Sequence, residues 1–275
     1  MMDIRLVVLD IDGTLAGESN EVSQPVRAAI QDLRARGVTV ALATGRMYRS
    51  ALRFHQTLEL DTPLIAYNGA WTQNPSQPEP LHHQPLPADL VASLLDVLEA
   101  GKWRSPVGIH CYINDRLHVR DVNDETRAYA ERSGIEPIAV GDLRNLLDCE
   151  ITKLLTLCND PDVIGDVLTM LRSQYTNQDL YLTQSTVNFL EATHPAVNKG
   201  SAVRRLAEEM LGLQAEQVMA IGDNWNDAEM LHYAGVGVAM GSAPRGVQDL
   251  AQWVAPTVEA DGVVAALTKF CGSGP

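Results

Sequence analysis

At 275 residues, with 45% hydrophobic and 20% charged residues, the chain is long enough for one large domain or two unequal ones and has an ordinary globular composition. Its 21 basic and 35 acidic residues leave a net charge of −14, which argues against nucleic acid or an anionic membrane as partner, since either needs a basic footprint. Four scattered cysteines without a Cys-x-x-Cys pair point to free thiols in a reducing compartment. With no signal-peptide pattern and no apolar run near the roughly 18 residues of a membrane helix, a cytoplasmic location is expected.

The first element is an apolar run, residues 6–9, closed by Asp10-Ile11-Asp12-Gly13-Thr14. A short apolar run ending in a turn signal predicts a strand buried on both faces, as in a parallel sheet. Asp10 and Asp12 then fall at its carboxyl end, where open α/β sheets collect ligands. Two carboxylates placed there favour a divalent cation as partner, although Asp-Gly also fits an ordinary surface turn.

Ser23 and Pro25 open a predicted helix that Gly37 ends, with Val26, Ala29, Ile30 and Leu33 on one face. A second strand, residues 38–43, ends in Thr44-Gly45-Arg46. Strand, helix, strand is the α/β signature, and it puts Thr44 beside Asp10 if the two strands are neighbours. A hydroxyl, a glycine and a following helix start suit an anion cradle, or a plain strand-to-helix turn. A helix over 48–58 leads to a strand at 64–67 closed by Asn68-Gly69, read here as a turn signal and nothing more.

Five prolines between residues 73 and 87 read as a linker leaving the first domain. The stretch that follows mixes helices (90–98, 125–133, 163–172) with strands (107–113, 117–120, 151–157, 180–183, 187–192), an α+β rhythm. His82, His83 and His110 lack ligand-like companions and read as linker or surface residues. Lys153, Asn188 and Glu191 are candidates for substrate selection, or simply surface and strand-pairing residues.

The α/β rhythm then returns. Asn198-Lys199-Gly200 opens a helix, and a strand over 218–221 ends in Gly222-Asp223-Asn224-Trp225-Asn226-Asp227. These hard oxygen donors suit Mg²⁺, with Asp10, Asp223 and the Asp12 backbone carbonyl as ligands; Asp227 also fits simple helix capping. Lysine at a helix start is electrostatically unfavourable, so Lys199 implies a nearby anion. Together these residues point to phosphoryl transfer.

The ordered set Asp10-Ile11-Asp12-Gly13-Thr14, Thr44-Gly45-Arg46, Lys199 and Gly222-Asp223 with Asn226-Asp227 resembles the haloacid dehalogenase superfamily. The insert between Asn68-Gly69 and Lys199 is similar to the cap of its Cof-type phosphatases. The resemblance implies a Rossmann-like parallel-sheet α/β core, residues 1–84 and 194–275, with an inserted α+β cap, residues 85–193. It implies Mg²⁺-dependent hydrolysis of a small phosphorylated metabolite, such as a sugar phosphate, through an aspartyl-phosphate. Asp10 would be nucleophile and metal ligand, Asp12 acid and base, and Lys199 the charge balance. Thr44 and Gly45 would hold phosphate, Asp223 would bind Mg²⁺, Asp227 would orient it, and Asn226 would reach the metal shell or the substrate. Arg46 would touch substrate or cap, or be a surface arginine of the following helix. A phosphomutase or phosphotransferase, or a phosphoester-binding regulator without turnover, is the alternative.

Overall fold

Apolar runs bounded by turn residues set the strands of the parallel sheet. The structure, a computed structural model, describes residues 3–100, 103 and 107–272. Strand β1 (Leu6–Leu9) is wholly buried. The Ser23 hydroxyl accepts the Val26 N–H and starts α1 (Gln24–Ala35), which buries Val26, Ile30 and Leu33. Strand β2 (Thr39–Leu42) returns parallel to β1, with Leu6 opposite Thr39 and Leu9 opposite Leu42. Then follow α2 (Tyr48–Thr57), β3 (Leu64–Ala66) and, antiparallel to β3, β4 (Trp71–Gln73).

The chain forms two compact units, Met1–Leu81 with Asn198–Pro275, and His82–Val197. The chain leaves the first unit within the proline-rich stretch, after Leu81, and part of that stretch is tied down. The Leu81 N–H bonds the Thr72 carbonyl at 2.8 Å, and the Gln73 side-chain amide bonds the carbonyls of Gln77 and Pro78. Prolines have no N–H to donate, so the Gln73 amide ties the loop back onto β4, and the chain passes into the second unit only at His82.

The second unit contains β5 (His82–His83), α3 (Ala88–Leu98), β6 (Gly108–Ile113), β7 (Arg116–Val119), α4 (Asp124–Ser133), β8 (Ile138–Ala139), β9 (Ile151–Leu157), α5 (Pro161–Gln174), β10 (Tyr181–Thr186) and β11 (Phe189–Thr193). A six-stranded sheet runs β10-β11-β9-β6-β7-β8, antiparallel except for the last pair. Ile109, Cys111, Ile113, Leu154 and Leu190 pack with Leu94 and Leu98 of α3 and with Ile164 and Val167 of α5. His110 is no surface residue. It is fully buried, its Nε2 lies 3.1 Å from the Thr126 hydroxyl of α4, and its ring meets Tyr129 edge-on.

The first unit resumes with α6 (Lys199–Arg204), whose start is a reciprocal cap between Asn198 and Ser201 and which runs on in wider turns through Arg205–Met210. The rest is β12 (Val218–Gly222), α7 (Ala228–Tyr233), β13 (Val236–Ala239), α8 (Arg245–Gln248), β14 (Trp253–Val254) and α9 (Gly262–Cys271). Its sheet is parallel, in the order β14-β13-β12-β1-β2, and a parallel bridge between Ala43 and Ile65 sets β3 beside β2. Leu6, Val8, Val218 and Ala220 pack with Val203, Leu206, Met230 and Leu231 of the helical segments after β11 and β12. The order brings the carboxyl ends of β12, β1, β2 and β3 to one edge. Among the described residues no helix is long and apolar enough to cross a membrane, and the four cysteines are unbridged.

Candidate active site

The Asp10 N–H bonds the Ile221 carbonyl at 3.0 Å, which fixes the first acid beside the end of β12. Two glycines make room for the acids of the second segment. Gly13 has φ +77, and a Cβ there would stand 2.2 Å from Asp223 Oδ2. A Cβ on Gly222 would stand 2.4 Å from Asp227 Cγ. The Thr14 hydroxyl donates to Asp223 Oδ1 at 3.3 Å. Asp227 is fully buried, and its Oδ2 accepts the N–H groups of Asp223 at 2.8 Å and Asn224 at 3.0 Å. It closes the β12–α7 loop around Asp223.

Lys199 joins the two segments. It opens α6 with no solvent exposure, and its Nζ donates to Asp10 Oδ1 at 2.6 Å and to Asp227 Oδ1 at 2.5 Å. The anions that a lysine at a helix start implies are therefore two carboxylates. Lys199 takes one oxygen of Asp10, and Oδ2 accepts no hydrogen bond among the described residues.

One carboxylate oxygen each of Asp10, Asp223 and Asp227 lies within 4.8 Å of the others. One lysine cannot neutralise three acids. Burial, reinforced by Asp227 and Asp12, raises Asp10 to about 7, and Lys199 opposes only part of that rise. Burial, then the charges of Asp10 and Asp227, raises Asp223 to about 9. Burial disfavours the charge of Lys199, yet Asp10 and Asp227 outweigh it and hold the ammonium above its ordinary value. The surplus of negative charge and the all-oxygen donor set fit a hard divalent cation and offer none of the nitrogen or sulfur that softer metals prefer.

The Asp12 carboxylate is held apart from this cluster. Arg46 grips it with a two-pronged fork, Nε to Oδ2 at 2.7 Å and Nη2 to Oδ1 at 2.6 Å, while Nη2 also reaches Asn20 Oδ1 at 2.7 Å. Arg46 lies over the Phe54 ring, 4.9 Å from its centroid. At the end of β2, Thr44 is buried, its N–H bonds the Ile65 carbonyl at 2.9 Å, and its hydroxyl accepts the Arg46 N–H at 3.2 Å. Gly45 is buried between them.

The sequence pattern gives no site role to Thr14, Asn20 or Asn68. Asn68 is more than a turn signal: it is fully buried with φ 55, its N–H bonds the Thr44 carbonyl at 2.9 Å, and its Oδ1 accepts Asn226 Nδ2 at 3.1 Å. The signal was a third apolar strand ending on the same edge. In the second unit, Lys153 and Glu191 form a buried pair at 3.3 Å, with the Ser185 hydroxyl on Glu191 at 2.8 Å. The backbone carbonyl of Asn188 accepts the Cys158 N–H at 3.2 Å.

Comparison with known proteins agrees with this architecture. The family described as haloacid dehalogenase-like hydrolase matches residues 7–267. The chain is 30% identical over 268 residues to the 5-amino-6-(5-phospho-D-ribitylamino)uracil phosphatase YitU of Bacillus subtilis, covering 96% of this chain and 97% of that protein. It is 30% identical over 239 residues to the HMP-PP phosphatase of Cronobacter sakazakii, covering 87% and 85%. The crystal structure of a haloacid dehalogenase-like hydrolase from Bacteroides thetaiotaomicron superposes with a TM-score of 0.82 at 26% identity, covering 97% of this chain and 99% of that one. The chain is an enzyme of the haloacid dehalogenase-like hydrolase family, grouped with proteins named as that family's phosphatases.

Proposed function

We propose that this enzyme is a Mg²⁺-dependent phosphatase that hydrolyses a small-molecule phosphate monoester through an aspartyl-phosphate on Asp10. The observation that carries the reading is the Lys199 ammonium bridging Asp10 and Asp227 with Asp223 alongside. With Lys199 on Oδ1, Asp10 keeps Oδ2 for attack on phosphorus. The new phosphorus–Oδ2 bond forms as the ester bond breaks, and Asp12 gives its proton to the departing alcohol oxygen. Water then attacks the phosphorus, Asp12 takes a proton back, and the Asp10 carboxylate leaves with release of inorganic phosphate.

Asp10, Asp223 and the Asp12 backbone carbonyl would hold Mg²⁺, and Asp227 would keep Asp223 in place. When bound, the cation supplies the positive charge that lets a carboxylate approach a dianionic phosphate. Thr44 and the Gly45 N–H would hold phosphoryl oxygens, and Asn226, set by Asn68, would reach the metal shell or substrate. The Arg46 fork occupies both oxygens of the Asp12 carboxylate as acceptors, and the carboxylate is the form that takes a proton from water. To protonate the leaving group, Asp12 has to slip that fork. Arg46 thus acts on Asp12 and so serves as a positioning residue. Phosphate release from para-nitrophenyl phosphate, with Mg²⁺ or with EDTA, tests the reading. Turnover that needs Mg²⁺ and vanishes in Asp10→Asn supports it; turnover that survives either change refutes it.

A further inference from the structure

Trp225 departs from the burial pattern around it. It sits two positions after Asp223 and directly before the buried Asn226 and Asp227, yet it is 46% exposed. An indole left that open at the carboxyl edge of a parallel sheet gains little for the fold, because much of its apolar surface stays in water. Its position is nonetheless fixed. The Trp225 N–H bonds Asn224 Oδ1 at 2.8 Å, and the Asp227 N–H bonds the Asn224 carbonyl at 3.0 Å. The turn that carries the ring is therefore the turn that carries Asp227 to Lys199. The six-membered part of the indole rests on the bare backbone of Gly246 in α8, where a Cβ would stand 2.4 Å from Cη2 and 3.1 Å from Cζ2.

Strand order gives this ring a side. The sheet runs β13-β12-β1-β2, Thr44 closes β2, and Trp225 leans on the segment that follows β13. Thr44 and Trp225 therefore stand on opposite flanks of the acids of β1 and β12. The indole thus borders the sheet edge at which a phosphoryl group on Asp10 would sit, on the side away from Thr44.

We propose that Trp225 is a specificity-determining platform on which a flat ring of the leaving group stacks, so that the preferred substrates are phosphate monoesters of alcohols carrying an aromatic or heteroaromatic ring. This deepens the phosphatase reading and rests on it. Stacking on an exposed, pre-positioned indole needs no hydrogen-bond partner and no ordering of a flexible side chain.

The test compares benzyl phosphate with n-butyl phosphate, both primary-alkyl monoesters and differing chiefly in the ring. The quantity read is the ratio of their kcat/KM values, by phosphate release. Trp225→Ala is expected to lower the benzyl-over-butyl ratio about tenfold, Trp225→Phe to retain most of it, and Gly246→Ala, whose new methyl group displaces the ring, to lower it without touching Trp225. Equal losses on both esters, or an unchanged ratio in Trp225→Ala and Gly246→Ala, would overturn the platform and leave the phosphatase intact. Release of phosphate from either ester by Asp10→Asn, or from neither by the wild type, would overturn the phosphatase reading and the platform with it.

Discussion

Lys199 holds two buried carboxylates with one ammonium that is itself fully buried. Replacing it by methionine keeps the length and removes the charge, leaving Asp10 and Asp227 facing each other unpaired. Breaking a buried pair from one side costs about 3–5 kcal/mol of stability, and loss of one preorganised charge at a reacting group costs about a hundred- to thousandfold in rate. Lys199→Met is therefore expected to lose stability in urea and to lose phosphatase turnover to that extent; a variant that matches wild type in both would show the bridge to be idle. Arg46 gives a graded counterpart. Asp12→Asn removes the proton carrier and is expected to lower kcat about a hundred- to ten-thousandfold, whereas Arg46→Ala only frees the orientation of Asp12 and should cost less. An Arg46→Ala loss as large as that of Asp12→Asn, read from the same steady-state assay, would mean that Arg46 touches substrate itself.

Among the elements, β6 carries a pH response of its own. Burial, with Lys153 of β9 adding to it, lowers His110 to about 3, while Thr126 and Tyr129 of α4 cover the ring. The unfolded chain binds this proton near the ordinary histidine value of 6.5 and the folded chain does not until about 3. The contribution is thus complete above that higher value and shrinks as pH falls between the two, by up to about 1.4 kcal/mol per pH unit. Urea unfolding near pH 7 and near pH 5 should show that slope in wild type and a shallower one in His110→Phe; parallel behaviour of the two proteins would place the acid sensitivity elsewhere. The same strand shows why part of the fold was hidden in the sequence. Residues Ile109 to Ile113 alternate apolar and larger polar or aromatic side chains, which reads as one wet face. The second face is instead covered by α4, a tertiary fact that no local pattern contains. By contrast β1, β2 and β12, with the acids and Thr44 at their ends, were legible because an apolar run and its turn residues are contiguous. Asn68 was not, because its meaning depends on β3 lying beside β2. The tie of the proline-rich loop, the Gln73 amide, has no compositional mark and so was not legible either.

At the scale of the molecule, the net charge of −14 makes the uncompensated acids of the first unit a stability question as well as a catalytic one. A cation that binds the folded state alone stabilises it, by about 2.7 kcal/mol at a hundred times its dissociation constant. Mg²⁺ is therefore expected to raise the thermal midpoint of the wild type and to leave that of Asp223→Asn unmoved; an equal rise in both would place the binding site away from Asp223. The central claim is narrower still: a phosphoryl group passes through Asp10. The direct measurement is peptide mass mapping of enzyme quenched in acid during steady-state turnover of para-nitrophenyl phosphate with Mg²⁺. The account predicts a phosphoryl group on the peptide containing Asp10, absent without substrate and absent in Asp10→Asn. Turnover with Asp10 never modified, together with activity in Asp10→Asn, would contradict it.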